Sequence, residues 1–299
     1  MTGAGAGPDG GRHVTRDGAG PGGSAVRRVM RPLKTVPEEG ERAGRHRPLR
    51  ALRQGFTLAW RSLLKIRHSP DQLLDLSLIP ITFVVLFTFL FGNAVAGNWH
   101  AYLRYVLPGV AVQALVFSSM NTAAGLNSDV RSGIYDRFRS LPVARAAPLI
   151  GRVLGDVVRN AICLLVVLAV GAVLGFRPHA APLSVLAACG LILLFSLSVC
   201  WPAALVGLLA RSPESVGGFS FVLIVPLTFG SNVFVPTGQL PGWLQAWVRI
   251  NPVTRLSDAA RGLMLDLPLG RTVPISLLWT AAIAVVFAPL AVLAYRRRT

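Results

Sequence analysis

The residues able to do chemistry are few in this sequence, and their spacing excludes most reactions. There is no Gly-x-x-x-x-Gly-Lys-Ser/Thr stretch and no Gly-Lys dipeptide at all, so the chain has no P-loop with which to cradle nucleotide phosphates. His13, His46, His68, His100 and His179 all lie outside the long apolar runs, and no His-Glu-x-x-His occurs. That removes the usual zinc and serine-hydrolase arrangements from an apolar interior. Cys163, Cys189 and Cys200 sit inside apolar runs without Cys-x-x-Cys spacing, so they read as small packing residues. No catalytic, cofactor or metal site is expected.

What remains is charge at the edges of apolar segments. Arg152, Asp156 and Arg159 fall at i, i+4 and i+7 on one helical face, either as ion pairs at a membrane surface or as a charged gate. Tyr135-Asp136 with Gly155-Asp156 resembles the paired motif of intramembrane aspartyl proteases only in part, because Val153 stands where that motif needs Gly. Residues 129–153, DVRSGIYDRFRSLPVARAAPLIGRV, carry alternating charge and a stop at Pro142, with Ile134, Phe138 and Leu141 on one face. This pattern predicts a short amphipathic helix on the membrane, either a docking element for a soluble partner or a plain basic loop. Residues 236–271 place Trp243, Leu244, Trp247 and Ile250 on one apolar face after Pro241, then start a second helix at Asn251-Pro252 with Asp258 and Arg261 at i, i+3. A lid over an exit and an interfacial anchor are both open readings of that pair.

The elements that must hold these residues are membrane spans. The chain has 299 residues, 53% hydrophobic and 14% charged, and a mean hydropathy of +0.55, against roughly 25% charged in a soluble domain. Apolar runs predict an all-α polytopic membrane protein with six transmembrane helices at about 73–91, 106–126, 153–176, 183–210, 216–235 and 273–295. The third is strictly apolar only over 161–176, with a polar lead-in from Leu149. An amphipathic interfacial helix is expected over 49–68, where Leu49, Leu52, Phe56, Ala59, Trp60 and Leu63 recur at helical spacing. Residues 1–48 are Gly-, Pro- and Arg-rich, a composition that reads as a disordered basic tail with no cleavable leader; Met30 is a second candidate start.

The net charge of +17 would suggest nucleic acid in a soluble protein, but the basic residues cluster in the tail and at span ends, so no nucleic-acid partner is expected. Fourteen of them beyond the tail fall on one side of the spans (from Arg50 to Arg67, Arg131 to Arg152, Arg211 and Arg296 to Arg298) and six on the other (Arg104, Arg177, Arg249, Arg255, Arg261, Arg271). The richer side is cytoplasmic by the positive-inside rule, which places both termini inside the cell membrane. Scarcely any ionisable residue falls in the apolar runs, so a proton- or sodium-coupled carrier is disfavoured and the energy for any transport must come from outside the membrane.

From about Leu49 onward, some five sixths of the chain, the sequence resembles ABC-2 type permeases of the daunorubicin/doxorubicin-resistance branch found in high-GC actinobacteria. Two stretches carry the resemblance, SGIYDRFRSLPVARAAPLIGR and FVPTGQLPGWLQAWVRINPVTRLSDAARGL, while the Gly-rich head departs from it. The resemblance implies a permease subunit of an exporter for a hydrophobic drug, lipid or glycolipid-like cargo. It also implies two permease copies and two copies of a separate ATPase that binds the ATP and magnesium, this chain binding no cofactor. It assigns ATPase coupling to Arg131, Gly133, Tyr135, Asp136, Arg137, Arg139, Leu141 and Pro142. It makes the segment with Pro241, Trp243, Trp247, Asn251, Pro252, Asp258 and Arg261 a pair of outer re-entrant helices. A membrane-embedded enzyme and a non-transporting scaffold or immunity protein are the alternative readings.

Overall fold

Apolar runs this long can satisfy their backbone in lipid only as helices, and helices are what form. The computed structural model describes residues 70–132 and 147–298. The expected tail, the amphipathic helix at 49–68 and the loop residues Gly133, Tyr135, Asp136, Arg137, Arg139, Leu141 and Pro142 lie outside the described residues. Among the described residues eight α-helices follow in order: α1 Pro70–Ala96, α2 Trp99–Arg131, α3 Ala147–Val173, α4 Pro182–Leu209, α5 Pro213–Phe229, α6 Gly242–Ile250, α7 Pro252–Leu265 and α8 Thr272–Arg298. A 3-10 turn, Thr237–Gln239, sits between α5 and α6. No strand occurs among the described residues.

Five of these helices, α1, α2, α3, α4 and α8, are long and apolar enough to cross a membrane. The exception among the six expected spans is the fifth. Where the apolar run predicts a span over 216–235, the helix stops at Phe229 after 17 residues, a length of about 26 Å against the roughly 30 Å of a hydrocarbon core. Gly230, Ser231 and Asn232 break it, residues that favour turns over helix continuation. The polar lead-in to the third span is itself helical, since α3 begins at Ala147. The second helix outruns its expected bounds at both ends, its start fixed by the Asn98 side chain accepting from the His100 N–H at 2.9 Å.

Helix α2 is the centre of the bundle and packs against α1, α3, α4, α5 and α7. It has the lowest hydropathy of the five long helices yet is the most buried, with 78% of its most apolar window enclosed, against 22% for α1 and 11% for α8. The inversion has a physical reason. Lipid accepts only apolar side chains, whereas polar residues are tolerated where helices meet one another. Gln113, Ser118, Ser119, Thr122 and Asn127 of α2 are all buried, whereas α8 shows Leu278 and Val285 outward.

The two ends of the bundle sort the charges as the sequence does. At one end Arg131 donates to the Arg211 carbonyl at 2.8 Å, and Tyr295 near the end of α8 packs with Leu126, Ala204 and Leu208. At the other, the backbone N–H groups of His179 and Ala180 reach the Met264 carbonyl. Asn127 ties α2 to the end of α4 by donating to the carbonyls of Gly207 (2.9 Å) and Ala210 (3.0 Å). Replacing Asn127→Leu is expected to leave these acceptors bare and destabilise the bundle by about 1–3 kcal/mol. Thermal unfolding of the protein in lipid nanodiscs checks this, and an unchanged midpoint would remove the α2–α4 tie from the account.

Candidate functional site

Two polar clusters are built into the bundle, one at each end. The first grows from the break after α5. Once the helix stops at Phe229, the carbonyls of the following residues have no ladder partner, while Asn232, Val233 and Phe234 are buried. Buried backbone acceptors must find donors, and α2 and α7 supply them. Arg261 of α7, 4% exposed, donates from Nη2 to the carbonyls of Asn232 (2.9 Å) and Val233 (3.1 Å), and from Nε to the carbonyl of Tyr105 (2.8 Å). Its Nη1 pairs with Asp258 Oδ1 at 3.2 Å, and its guanidinium lies 3.8 Å over the Tyr105 ring. A planar five-donor fork suits this task, because one side chain serves three carbonyls and a carboxylate at once.

The remaining acceptors are met one by one. The Tyr105 hydroxyl donates to the Asn232 carbonyl (2.6 Å) and the Tyr102 hydroxyl to that of Phe234 (2.9 Å). Asn251 donates to the carbonyls of Leu227 (2.7 Å) and Gly230 (3.0 Å) while its Oδ1 accepts from the Val253 N–H, capping α7. The Asn232 amide donates to Asp258 Oδ1 at 2.6 Å. Gly109 leaves room for the approach: a Cβ there would stand 2.9 Å from Arg261 Nη2 and 3.2 Å from the Val233 Cα. The segment 230–236 is thereby clamped between α2 and α7.

Of the residues singled out in the outer segment, Asn251, Asp258 and Arg261 converge on this clamp and Pro252 opens α7 beside it. Pro241 begins α6, whose Trp243, Trp247 and Ile250 stay exposed at 76%, 50% and 67%, the amphipathic face expected of a helix lying on an interface. Tyr102, Tyr105 and Asn232 escaped the sequence reading. The Gly-Ser-Asn interruption of an apolar run at 230–232 was the available signal for a broken helix.

The second cluster joins α2 to the antiparallel α3. Arg152 pairs with Asp129, Asp156 accepts from the Thr122 hydroxyl at 2.6 Å, and Arg159 pairs with Asp156 at 2.9 Å while reaching Ser118 Oγ at 3.5 Å. Arg152 thus takes its carboxylate from across the interface, not from Asp156 on its own helix. Asp156 is buried, in place of the surface position expected for it. A Cβ on Gly125 would fall 1.8 Å from Arg152 Nη2, so glycine at 125 lets Arg152 lie across α2. The ladder flanks residues 133–146 on both sides. Of the predicted coupling residues only Arg131 is described, at the end of α2. Among the described residues no group of three or more His, Cys, Asp or Glu residues could hold a metal.

The sequence that folds in this way matches a known family. The ABC-2 type transporter family model aligns with residues 53–265. The chain belongs to the ABC-2 type transporter family. It is 40% identical to the daunorubicin resistance ABC transporter permease protein DrrB1 of Streptomyces coeruleorubidus, over 89% of this chain and 93% of that one. The probable doxorubicin resistance ABC transporter permease protein DrrC of Mycobacterium tuberculosis is 30% identical, over 73% of this chain and 79% of that one. A putative transport permease, ycf38, of Cyanophora paradoxa is 25% identical over 69% of this chain. This ABC-2 chain is therefore a multi-pass membrane protein whose relatives include drug-resistance permeases.

Removal of Arg261 tests this clamp. Arg261→Met is expected to leave three buried carbonyls short of a donor and cost at least about 3 kcal/mol, and Arg261→Lys to recover only part of it, since an ammonium lacks the fork. Tyr105→Phe should cost about 1 kcal/mol. Thermal unfolding in nanodiscs ranks the three, and a lysine variant as stable as the parent would refute the need for the fork.

Proposed function

We propose that this chain is the membrane-spanning permease subunit of an ATP-binding-cassette exporter, moving a hydrophobic drug, lipid or glycolipid-like cargo outward on energy from a separate ATPase. The observation that carries the reading is the 40% identity, over nearly the whole of both chains, to a permease named for daunorubicin resistance. Relatives from Streptomyces and Mycobacterium favour an actinobacterial cell membrane as its setting. Two copies of the permease with two ATPase subunits make the working unit, both termini of each permease facing the cytoplasm.

The physical logic lies in where force can enter. A soluble partner that closes on ATP shifts the populations of inward- and outward-open states only if it grips the two differently. The loop of Gly133, Tyr135, Asp136, Arg137, Arg139, Leu141 and Pro142 is the proposed grip, with Arg131 at its root. The Asp129–Arg152 pair bridges the two helices from which that loop springs. A pull on the loop is therefore passed to α2, which packs against α1, α3, α4, α5 and α7. The clamp of Arg261 at the far end of α2 holds the outer helices to the same pillar.

The test is ATP-driven transport by the permease co-expressed with its ATPase in inverted membrane vesicles. Cargo uptake is expected to need both chains and to vanish when the ATPase's catalytic carboxylate is neutralised. Arg139→Glu in the permease is expected to cut transport at least about tenfold while membrane insertion is unchanged. Full transport by that variant would end the coupling role, and nucleotide hydrolysis by the permease alone would end the whole reading.

A further inference from the structure

A groove of about 400 Å³ runs between α4 and α8, on a side of the bundle that neither the clamp nor the ladder uses. Leu194 and Leu277 line it and are exposed, so they form its rim, while Ser198 and Thr280 are buried at its floor. Small side chains leave it open, because α8 presents Ala281 and Ala284 here where its other outward positions carry Leu278, Val285 and Val286. The two floor hydroxyls donate to carbonyls of their own helices, Ser198 to Phe195 and Thr280 to Ser276, both at 2.7 Å. The groove therefore offers a guest no free hydroxyl donor and suits hydrocarbon along its length.

We propose that this groove is a phospholipid-binding site, with one acyl chain lying in it and the phosphate held by Arg271. Helix α8 is the least enclosed of the five long helices, so the groove opens onto lipid. Its depth and direction are set by what closes it. Beyond Trp201, Ala204 and Leu208 of α4 meet Ala291 and Tyr295 of α8 in a buried cluster against which Trp201 itself packs. A chain in the groove therefore ends at Trp201 and keeps its head toward the opposite end of α8. Arg271 stands there, immediately before the helix, exposed and without an ion pair among the described residues. Asp266, the nearest acid in sequence, makes none with it. A guanidinium left free in this place matches a phosphate with two parallel hydrogen bonds.

The lengths agree. Along α8, Leu277 lies about 9 Å and Ala284 about 20 Å from Arg271. One leaflet's share of a hydrocarbon core of roughly 30 Å is about 15 Å, so a chain hung from Arg271 ends within the groove. From Arg297 at the other end the same two residues are about 30 and 20 Å away, beyond that reach. Once seated, the chain fills the space the alanines leave and joins α8 to α4 at a level where their own side chains do not.

The test is native mass spectrometry of the full chain in detergent, titrated with dioleoylphosphatidylglycerol, dioleoylphosphatidylcholine and dioleoylglycerol, which lacks the phosphate. Either phospholipid is expected to bind at least about tenfold more tightly than dioleoylglycerol, and Arg271→Gln to remove that difference. Ala281→Leu enlarges an exposed side chain in the groove, so it is expected to fold and to weaken phospholipid binding at least about tenfold. Dibrominated phosphatidylcholine in nanodiscs locates the chain: its quenching of Trp201, taken as the difference between the parent and Trp201→Phe, is expected to drop in Ala281→Leu. Equal binding of dioleoylglycerol, discrimination that survives Arg271→Gln, or binding and quenching unchanged in Ala281→Leu overturns the site. Lipid carried by single chains but absent from paired ones also overturns it, since a second copy would then cover the groove. None of these readouts involves transport, so the site stands or falls apart from the export reading.

Discussion

The structure depends on what happens to the carbonyl oxygens exposed when α5 stops short. Inside a bilayer or a packed bundle, a bare backbone acceptor costs more than a weak contact returns, so a helix breaks only where side chains replace its ladder. Here the replacements come from residues far apart in sequence: Tyr102 and Tyr105 on α2, Asn251 at the junction of α6 and α7, and Arg261 on α7. Because the donors come from α2, the α6–α7 junction and α7, the break binds those elements together. The discontinuity is thus what fixes α6 and α7 on the bundle.

The same economy governs the other end. Asp156 is buried and Arg159 half-buried, and a lone charge so placed would be penalised, so each is held by a partner: Asp156 by Arg159 and the Thr122 hydroxyl, Arg159 by Asp156 and Ser118. Such a ladder contributes little net stability compared with an apolar interface, since desolvation offsets most of the attraction. What it supplies is register. Slipping α2 against α3 by one residue would part Asp129 from Arg152, drive Arg152 off Gly125 and expose Asp156 to apolar surroundings at the same time. Helices joined this way move as one body or separate at a high cost, which is the property a lever needs.

How far these features were legible in the sequence follows from what each depends on. Long apolar runs announce helices because lipid demands it, and α1, α2, α3, α4 and α8 lie where the runs do. The positions of Arg131 and Arg211 on one side and of α7 on the other were readable from charge alone, because each charge sits at a span end. The end of α5 was not, since Val233, Phe234 and Val235 look as apolar in a broken segment as in a helix, and hydropathy cannot see a missing hydrogen-bond ladder. Asp258 and Arg261 were visible as a local i, i+3 pair. That Arg261 spends most of its donors on carbonyls 28 to 156 residues away was invisible, because nothing local requires it. Asp156 was assigned to the surface for a related reason: sequence shows a charge at a span end but not the Thr122 hydroxyl that allows it to go inside.

One helix connects the two ends. Helix α2 is 33 residues long, about 50 Å at the rise of an α-helix, and it carries Tyr102 and Tyr105 toward one end, Gln113 near its middle, and Asp129 toward the other. Motion applied near Asp129 cannot be absorbed by lipid-facing neighbours alone, because the α2–α3 ladder and the Arg261 clamp resist sliding at both ends. Pro108 interrupts the helix between the clamp and the α2–α3 ladder, removing one backbone donor where a bend is cheapest. A segment held by the ladder, a bend at Pro108 and a segment anchored by Arg261 would turn displacement at one end of α2 into a change of angle at that proline.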